Sequence, residues 1–280
     1  MIKAFQKDHA LLQDILKSKE AKTGLRTWWL GQSGFLVQWN GVHILFDPYL
    51  SDSLTKKYAG TEKPHVRMSE RAIDPDQLDF IDVVTSSHNH TDHLDAETLK
   101  PIFRKNPNIK FIIPEANREF VSDRVNCAPS FALGMTEGTE ISFSADVSFS
   151  ALASAHNGLD QDEFGNNKFL GFILKIGPYT LYHSGDTLWY EGLEEKVKAF
   201  KPDILFLPIN GNKPERKVAG NMNAQEAAEF GKAVGSGTVI PHHFHMFEFN
   251  TENPENFLTA AREREIDHQV LRIGESFSLE

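Results

Sequence analysis

The sequence contains very little cysteine and no long hydrophobic run. Cys127 is the single cysteine among 280 residues, which excludes an internal disulfide and is typical of a protein from a reducing compartment. No uninterrupted apolar stretch approaches the roughly 18 residues that a membrane-spanning helix needs. The N-terminal residues also lack an apolar segment followed by a small-residue cleavage site, so no secretory signal is predicted. We therefore expect a cytoplasmic protein that is not inserted in a membrane.

Positive charge is also scarce. The 29 lysines and arginines are outnumbered by 39 aspartates and glutamates, which gives a formal net charge of −10. This balance disfavours nonspecific binding to nucleic acid or to an anionic membrane. An anionic small-molecule substrate stays compatible with it, because bound metal ions can reverse the field inside a cleft. No linker or low-complexity tract divides the chain, so we expect one domain over residues 1–280, either alone or as a homo-oligomer.

Two common catalytic motifs are missing. The chain has no Gly-x-Ser-x-Gly nucleophile elbow, so a serine triad of that kind is not expected. It also has no Gly-x-x-x-x-Gly-Lys loop that would cradle a nucleotide phosphate. Cys127 lies outside every candidate ligand loop, which disfavours a thiolate-rich structural zinc site. Hydrolytic chemistry is therefore expected to come from histidine and carboxylate side chains.

Such side chains are concentrated in residues 88–93, His-Asn-His-Thr-Asp-His. Four metal-competent side chains, His88, His90, Asp92 and His93, lie within these six positions. They follow the apolar run 81–85, which is typical of a short buried strand. A strand that ends in such a loop presents its imidazoles and carboxylate at one point in space, and zinc and manganese accept both ligand types. The sequence therefore predicts a hydrolytic metal centre.

More ligand-type residues follow other predicted strands. His156 and Asp186 each come a few residues after an apolar stretch. A third such stretch, 238–240, is followed by three histidines, and the residues alone leave open which of His242, His243 and His245 is a ligand. Because loops after several strands can converge at one end of a sheet sandwich, we expect these residues to join the first cluster.

Hydrophobic periodicity predicts helices and strands in both halves of the chain. Asn40-Gly41 indicates a hairpin, Asp95 an N-cap, and Asn223 with Glu226 a capping box. Helices are expected over 2–18, 115–121 and 190–200, and from 95, 223 and 254 onwards. Strands are expected over 25–30, 35–39, 42–46, 81–85, 109–113, 140–143, 147–153, 169–176, 179–183, 203–207 and 238–240, with a terminal hairpin of 269–273 and 276–279. The order suggests an α/β (α+β) fold with two packed sheets and helices outside.

This ordered ligand set resembles that of the metallo-β-lactamase superfamily, and the resemblance spans roughly residues 25–280. Within it the chain looks most similar to the branch that contains L-ascorbate-6-phosphate lactonase. The phrases that carry this similarity are Trp28-Trp29-Leu30-Gly31, Leu181-Tyr182-His183-Ser184-Gly185-Asp186, Asn221-Met222-Asn223-Ala224, Val239-Ile240-Pro241 with its His pair, and Arg272-Ile273-Gly274-Glu275-Ser276-Phe277. The resemblance implies a four-layer αββα sandwich.

The resemblance also implies how the ligands are shared between two divalent ions, zinc or manganese. One ion would be held by His88, His90 and His156. The other would be held by Asp92, His93 and His243. His243 is preferred to His242 and His245 because the Ile-Pro-x-His pattern of the branch places the ligand second after proline. Asp186 would bridge the ions, and Asp92 or Asp186 would position the attacking hydroxide or shuttle its proton.

Some residues are expected to act around the ligands. Asp47 would orient a ligand or water, and His183 is expected to pack behind the ligands rather than to bind metal. His9, His43, His65 and His268 show no partner pattern and are treated as structural or solvent-exposed. The polar loop 210–221 offers Asn210, Lys213, Arg216 and Lys217 for substrate binding, with Arg216 the better bidentate partner of a phosphate. The competing interpretation is a solvated basic loop.

The sequence thus predicts a dinuclear hydrolase, in the first place a lactonase that uses metal-bound hydroxide on a small sugar-acid phosphate lactone. The alternative on the same ions is a phosphodiesterase, since related branches cleave phospholipid head groups or cyclic nucleotides. Redox chemistry is disfavoured because diiron relatives carry Glu where this chain has His90 and are followed by a flavin-binding domain. A metal-binding protein without catalysis is the remaining alternative, although structural sites usually close their coordination with four ligands.

Overall fold

Two β-sheets form the centre of the structure, a computed structural model that describes residues 1–18 and 24–280. The helices are α1 (Asp8–Ser18), α2 (Ser53–Lys57), α3 (Ala96–Lys105), α4 (Arg118–Val125), α5 (Leu193–Lys198), α6 (Ala224–Val234) and α7 (Pro254–Glu263). The strands are β1 (Leu25–Gly31), β2 (Gly34–Trp39), β3 (Val42–Phe46), β4 (Val83–Thr85), β5 (Lys110–Pro114), β6 (Ala132–Met135), β7 (Glu140–Ser144), β8 (Val147–Ala153), β9 (Leu170–Ile176), β10 (Tyr179–His183), β11 (Ile204–Pro208), β12 (Thr238–His242) and β13 (Ser276–Leu279).

Each sheet combines an antiparallel and a parallel part. The first has the order β13-β1-β2-β3-β4-β5-β6, antiparallel from β13 to β3 and parallel from β3 to β6. The second has the order β12-β11-β10-β9-β8-β7, parallel from β12 to β10 and antiparallel beyond. In the parallel parts several strands end at the same edge of their sheet, so the loops that follow them are neighbours.

The two sheets face each other across one continuous apolar core. Phe35 of β2 stacks on Phe206 of β11 with ring centroids 4.1 Å apart, and Phe46 of β3 lies 6.0 Å from Phe149 of β8. All four rings are fully buried. Burial of aromatic rings from both sheets holds the sandwich together, at roughly 1.5–3 kcal/mol for each Phe removed from water.

Helices pack against the two sheets from outside the sandwich. The helix α6 contacts β11 and β12, and α5 and α7 pack against α6. The helix α4 contacts β6. On the first sheet, Asp14 of α1 accepts a hydrogen bond of 2.8 Å from Trp28 Nε1. This arrangement confirms the predicted α/β fold with two sheets and outer helices. Within residues 1–18 and 24–280, no helix has the length and apolar character needed to cross a membrane.

Two predicted elements near the termini are wrong in extent. The first helix covers only Asp8–Ser18, because Ile2 forms an isolated bridge with Ser69 instead of a helical turn. The predicted C-terminal hairpin does not form, because β13 pairs antiparallel with β1 at the edge of the first sheet and residues 269–273 form no strand. An alternating apolar pattern fixes which face is buried, but it does not name the partner strand.

Two short elements were missed by the periodicity. The helix α2 is one turn within the polar stretch 50–75, and β6 is a four-residue edge strand interrupted by Gly134. A Cβ at Gly134 would lie 1.7 Å from Glu115 Oε2, so a larger residue there would displace the Glu115–Arg118 ion pair. Elements this short bury too few side chains to show a period.

Candidate metal centre

The predicted ligand residues meet at one end of the sandwich. Asp47 follows β3, the 88–93 loop follows β4, His156 follows β8, Asp186 follows β10 and His243 follows β12. Their ligand atoms form three overlapping groups that could each hold a metal ion, with the atoms of each group within 4.8 Å of one another. These groups are His88/His90/His156, His88/His93/Asp186 and Asp92/His93/His243. The chain therefore contains His/Asp clusters suited to metal binding.

Asp186 lies between the other ligand-type residues. Its Oδ1 is 3.3 Å from His93 Nε2, and its Oδ2 is 3.4 Å from His156 Nε2 and 3.2 Å from His243 Nε2. Its side chain is 3% exposed, so few of these atoms can be satisfied by solvent. A carboxylate with two oxygens facing two separate imidazole groups is well placed to bridge two cations.

Several atoms in this cluster have no hydrogen-bond partner among the described residues. They are His88 Nε2, His93 Nε2 and Asp186 Oδ1, all buried. A buried polar atom without a partner costs roughly 1–3 kcal/mol, so the cluster is incomplete as a purely hydrogen-bonded network. Imidazole nitrogen and carboxylate oxygen together suit zinc or manganese. The residues therefore fit the metal ions that the sequence predicts.

Asp47 holds one of the ligand imidazoles in place. Its Oδ2 accepts a hydrogen bond of 2.7 Å from His93 Nδ1, which leaves His93 Nε2 directed to the cluster. Its Oδ1 accepts hydrogen bonds from Thr85 Oγ1 at 2.7 Å and from the backbone N–H of Ser87 at 3.1 Å. Burial by itself raises the pKa of Asp47, but the hydrogen bond from His93 and the nearby His183 lower it below its ordinary value.

The other imidazoles are oriented in the same way. His156 Nδ1 donates to the carbonyl of Gly220 at 2.9 Å and lies 3.1 Å from Asn221 Oδ1, which leaves His156 Nε2 for the cluster. His88 Nδ1 is 3.1 Å from Ser87 Oγ. Partners of this kind select the tautomer and ring orientation of a metal ligand.

Strand alternation separates His243 from its neighbours. His242 ends β12 and points into the sandwich, where its Nδ1 is 3.1 Å from Ser33 Oγ and its ring stacks on His183 at 5.3 Å. His243 comes next, has a left-handed backbone (φ 62°) and turns its Nε2 to within 3.5 Å of Asp92 Oδ2. His245 is absent from the ligand groups found in the described residues. His183 packs behind the cluster and also stacks on Phe46.

Charge divides the cluster into two halves. Burial lowers the pKa of His88 well below its ordinary value and that of His156 to about 4. Burial also acts on His93 and His243, but there the carboxylates of Asp186 and Asp92 outweigh it. They raise the pKa of His93 well above its ordinary value and that of His243 to about 9. The carboxylates of Asp92 and Asp186 thus concentrate negative potential on the Asp92/His93/His243 half, where a metal ion has to displace the protons of the two imidazoles.

Both carboxylates of the cluster are held in the ionised form. Burial alone would raise the pKa of Asp186, but His243, His93 and His156 lower it well below its ordinary range. Burial would likewise raise the pKa of Asp92, and the neighbouring His93 and His243 lower it far below that of a free carboxyl group. Two ionised carboxylates among imidazoles provide the negative charge that a divalent ion requires.

A cavity of about 600 Å³ opens over the cluster. The ligand-type residues in its lining are His90, Asp92, His156, Asp186 and His243. Its apolar and aromatic lining residues are Leu54, Tyr58, Phe120, Phe247 and Phe249. The lining also includes four cationic side chains, Lys57, Lys63, Arg124 and Lys217. A cavity of this size accepts a small molecule, and its lining offers an apolar surface beside positive charge.

The polar stretch 50–75 contributes several residues to the cavity lining. His65 stacks on Tyr58 at 4.2 Å and contacts Phe247 and Phe249 edge-on at 5.0 and 4.6 Å. Lys63 Nζ donates to the carbonyl of Lys217 at 2.5 Å, which ties the stretch to the 210–221 loop. These contacts give His65 a place in the cavity wall that its sequence context did not indicate.

Of the four loop residues considered for substrate binding, Lys217 lines the cavity, and Asn210, Lys213 and Arg216 are not among the lining residues. Arg216 donates to the Asn210 carbonyl at 2.6 Å and the Thr251 carbonyl at 2.7 Å. Lys213 forms an ion pair with Glu252 at 3.2 Å, and the buried Asn210 donates to Asn250 Oδ1 at 3.0 Å. In the described part of this loop, the lining residues are Lys217, Val218 and Ala219. The placement of Arg216, Lys213 and Asn210 favours a role in shaping the loop.

Arg124 is a further residue that the sequence did not single out. Its Nη1 donates to the Asn89 carbonyl at 2.8 Å and to Thr91 Oγ1 at 3.2 Å. Both acceptors belong to the ligand loop 88–93. No sequence signal links α4 to this loop, because the contact arises only when the two elements pack together.

Comparisons with known proteins agree with this site. The family profile described as "Beta-lactamase superfamily domain" matches residues 26–243. A UPF0173 metal-dependent hydrolase of Methanosarcina mazei is 28% identical over 259 residues, which are 91% of this chain and 99% of the relative. The solved structure of a metallo hydrolase from Ignicoccus hospitalis superposes with a TM-score of 0.68 at 20% identity, and the match covers 92% of this chain and 99% of that one.

A relative with a named substrate is also similar. The N-acyl-phosphatidylethanolamine-hydrolyzing phospholipase D of Saccharomyces cerevisiae is 25% identical over 243 residues, which are 84% of this chain and 51% of the relative. The family match covers most of the chain, and the curated relatives named here are hydrolases. The chain therefore belongs to the metallo-β-lactamase superfamily and is a metal-dependent hydrolase.

Proposed function

We propose that this chain hydrolyses a small anionic ester with two divalent ions, zinc or manganese. The observation that carries the proposal is the position of Asp186 between two imidazole groups at the floor of a cavity with four cationic lining residues. His88, His90 and His156 would hold the first ion, and Asp92, His93 and His243 the second. Asp186 would bridge the two.

The bound ions would lower the pKa of a water molecule and polarise the ester that it attacks. The two carboxylates of the centre differ in exposure, and we assign them different roles on that basis. The Asp92 side chain is 15% exposed and lines the cavity, whereas that of Asp186 is 3% exposed. Asp92 would therefore orient the attacking water and receive its proton, and Asp186 would hold the two halves of the centre together.

The lining residues support an anionic substrate. Lys63 and Lys217 meet across one side of the cavity, and Lys57 and Arg124 lie elsewhere in its wall. Charge-assisted hydrogen bonds to a phosphate or carboxylate are stronger than neutral ones, so this lining favours esters that carry a negative group. The chain's net charge of −10 makes such a local concentration of cations more significant.

Two ester classes match this description. A sugar-acid phosphate lactone is supported by the phrases shared with the lactonase branch, one of which contains Asn221, a residue that contacts His156. A phosphodiester is supported by the similarity to the yeast phospholipase D, which is named for the hydrolysis of N-acyl-phosphatidylethanolamine. The lactone remains our first candidate because a cavity of about 600 Å³ suits a small molecule.

A direct comparison tests the proposal. Protein loaded with zinc or manganese is assayed on a sugar-acid phosphate lactone and on bis-p-nitrophenyl phosphate at equal concentration. We expect turnover of at least one, with the lactone faster. Diester turnover more than about a hundredfold above lactone turnover would reverse the order of the two classes. Two bound ions without turnover on either, or on a wider ester panel, would instead indicate a metal-binding protein that is not a catalyst.

A further inference from the structure

Gln32 is a fully buried residue in the turn between β1 and β2. Its backbone is left-handed (φ 51°), a conformation that glutamine adopts only when its surroundings fix it. Two neighbours do so, because the Gln32 carbonyl accepts hydrogen bonds from Trp29 Nε1 at 2.9 Å and from the backbone N–H of His243 at 3.1 Å. The position of Gln32 relative to His243 is therefore set by the fold.

The side chain of Gln32 points into the candidate metal centre. Its Nε2 is 2.7 Å from Asp92 Oδ2 and 3.0 Å from His243 Nε2. At the other end of the amide, Gln32 Oε1 is buried and has no hydrogen-bond partner among the described residues. The amine of this buried amide thus contacts two ligand-type atoms, while its oxygen has no partner among the described residues.

The two atoms that contact Gln32 Nε2 are the same atoms that the proposed function assigns to the second ion. Once His243 has released its proton, the lone pair on its Nε2 can accept a hydrogen bond or bind a cation, but not both at once. The amine end of Gln32 and a divalent ion therefore compete. A half-turn of the amide exchanges its oxygen and nitrogen. That exchange presents the Gln32 oxygen to the cation. It also moves the amine to the position of the unpaired oxygen, so the number of unpaired groups at that position does not change.

Resting on the proposed two-ion centre, we propose that Gln32 supplies its amide oxygen as an additional ligand to the second ion, beside Asp92, His93 and His243. Amide and carboxylate oxygens are ligands that manganese prefers, whereas zinc is satisfied by imidazole. Gln32 therefore makes the second site more selective for manganese than its other three ligands would.

Metal titration tests this role without an activity assay. Metal-free wild type, Gln32→Met and Gln32→Glu are titrated with Mn²⁺ and separately with Zn²⁺ in a calorimeter, and bound metal is counted by elemental analysis. Gln38→Met is the matched control, because Gln38 is equally buried on β2, its Nε2 also lacks a partner, and it lies outside the ligand groups.

We expect two Mn²⁺ ions in wild type and in the Gln38→Met control. In Gln32→Met the second Mn²⁺ should bind at least tenfold more weakly and the second Zn²⁺ should change less, while Gln32→Glu should keep two Mn²⁺ ions because a carboxylate replaces the amide oxygen. Equal or tighter binding of the second Mn²⁺ by Gln32→Met would show that the amine merely occupies the site, and would overturn the proposal.

The failure of the centre itself would look different. Wild type that binds fewer than two ions rejects the two-ion centre, and the Gln32 ligand with it. Wild type with two ions and unchanged Gln32→Met rejects the ligand alone. If Gln32→Met does not fold, as judged by the thermal unfolding of the metal-free proteins, Gln32→Glu decides, because loss of its second Mn²⁺ contradicts an oxygen ligand at this position.

Discussion

His93 and Asp47 form a buried pair in which the ring Nδ1 donates to the carboxylate Oδ2 over 2.7 Å. Asp47 lies directly after β3 and also has a left-handed backbone (φ 37°). Its remaining acceptors are taken by Thr85 and Ser87, at the end of the adjacent β4. One carboxylate therefore fixes both the start of the ligand loop and the ring that presents Nε2 to the centre.

Replacement of Asp47 by alanine should weaken metal binding. The change removes the acceptor that selects the His93 tautomer, and it leaves the Thr85 hydroxyl and the Ser87 N–H without their buried partner. Loss of such a partner typically costs about 10–100-fold in metal affinity. We expect this loss for the ion assigned to His93, with a smaller effect on the other. Calorimetric titration with Zn²⁺ or Mn²⁺ measures both.

Asp203 provides the control for this variant. It accepts a hydrogen bond of 2.8 Å from the backbone N–H of Thr180, at the opposite ends of β10 and β11 from the metal centre. Asp203→Ala should lower the unfolding temperature without changing metal affinity. Equal metal affinities for Asp47→Ala and wild type would mean that His93 is oriented by its packing alone.

Asp186→Ala should reduce metal binding and hydrolysis more than the replacement of any other single ligand. The side chain contacts His93, His156 and His243, which belong to both proposed ion sites. Its loss should reduce occupancy of both ions and reduce hydrolysis by at least about a thousandfold, the loss of roughly 4 kcal/mol of transition-state stabilisation. Elemental analysis and ester turnover measure the two effects. Two retained ions with normal turnover would reduce Asp186 to a turn residue.

Most of this centre was predictable from the sequence because its ligands share one local pattern. His88, His156 and Asp186 each stand just after an apolar strand, and the 88–93 loop contains several ligand types in a short space. The structure brings these residues together as expected. His243 was preferred to His242 on the resemblance, since the residues alone left that choice open. In the structure, successive side chains at the end of β12 point in opposite directions, which places His242 in the sandwich and His243 in the centre.

The cavity wall could not be predicted in the same way. Lys63 and Lys217 lie 154 positions apart, and their contact depends on how two irregular loops fold against each other. Arg216 looked like the better phosphate ligand because arginine is geometrically suited to it, yet nearby carbonyl groups take its hydrogen bonds. Gln32 had no distinguishing sequence signal, since a single glutamine in a Gly-rich turn is usually solvated.

The stability of the metal-depleted protein should pass through a maximum near pH 6.5. The ordinary pKa of histidine is 6.5 and burial lowers that of His156 to about 4. Between these values the unfolded chain binds more protons than the folded one, so stability rises with pH. The pKa of His243 is raised to about 9 in the folded chain. Between 6.5 and 9 the folded chain retains a proton that the unfolded chain releases, so stability falls as pH rises.

Bound metal should abolish the fall in stability between pH 6.5 and 9. An ion displaces the proton from His243, so metal binding releases protons and the loaded protein no longer loses that contribution between pH 6.5 and 9. Thermal unfolding of chelated and loaded samples from pH 4 to 9 measures both curves. If the chelated protein became steadily more stable from pH 6.5 to 9, then Asp186 and Asp92 would not retain a proton on His243 and His93.

Lys217 and Arg216 should behave differently although they are adjacent. Lys217 lines the cavity, so Lys217→Met should raise KM about 3–10-fold for an anionic ester, roughly 1 kcal/mol for a partly exposed charge, and leave KM for the neutral p-nitrophenyl acetate unchanged. Arg216 supports the loop through Asn210 and Thr251, so Arg216→Met should lower kcat/KM for both esters equally. The Lys217 backbone carbonyl stays in place in the first variant, so the contact from Lys63 is retained. A selective effect on the anionic ester in Arg216→Met, with none in Lys217→Met, would return the phosphate contact to Arg216 and require the 210–221 loop to rearrange when substrate binds.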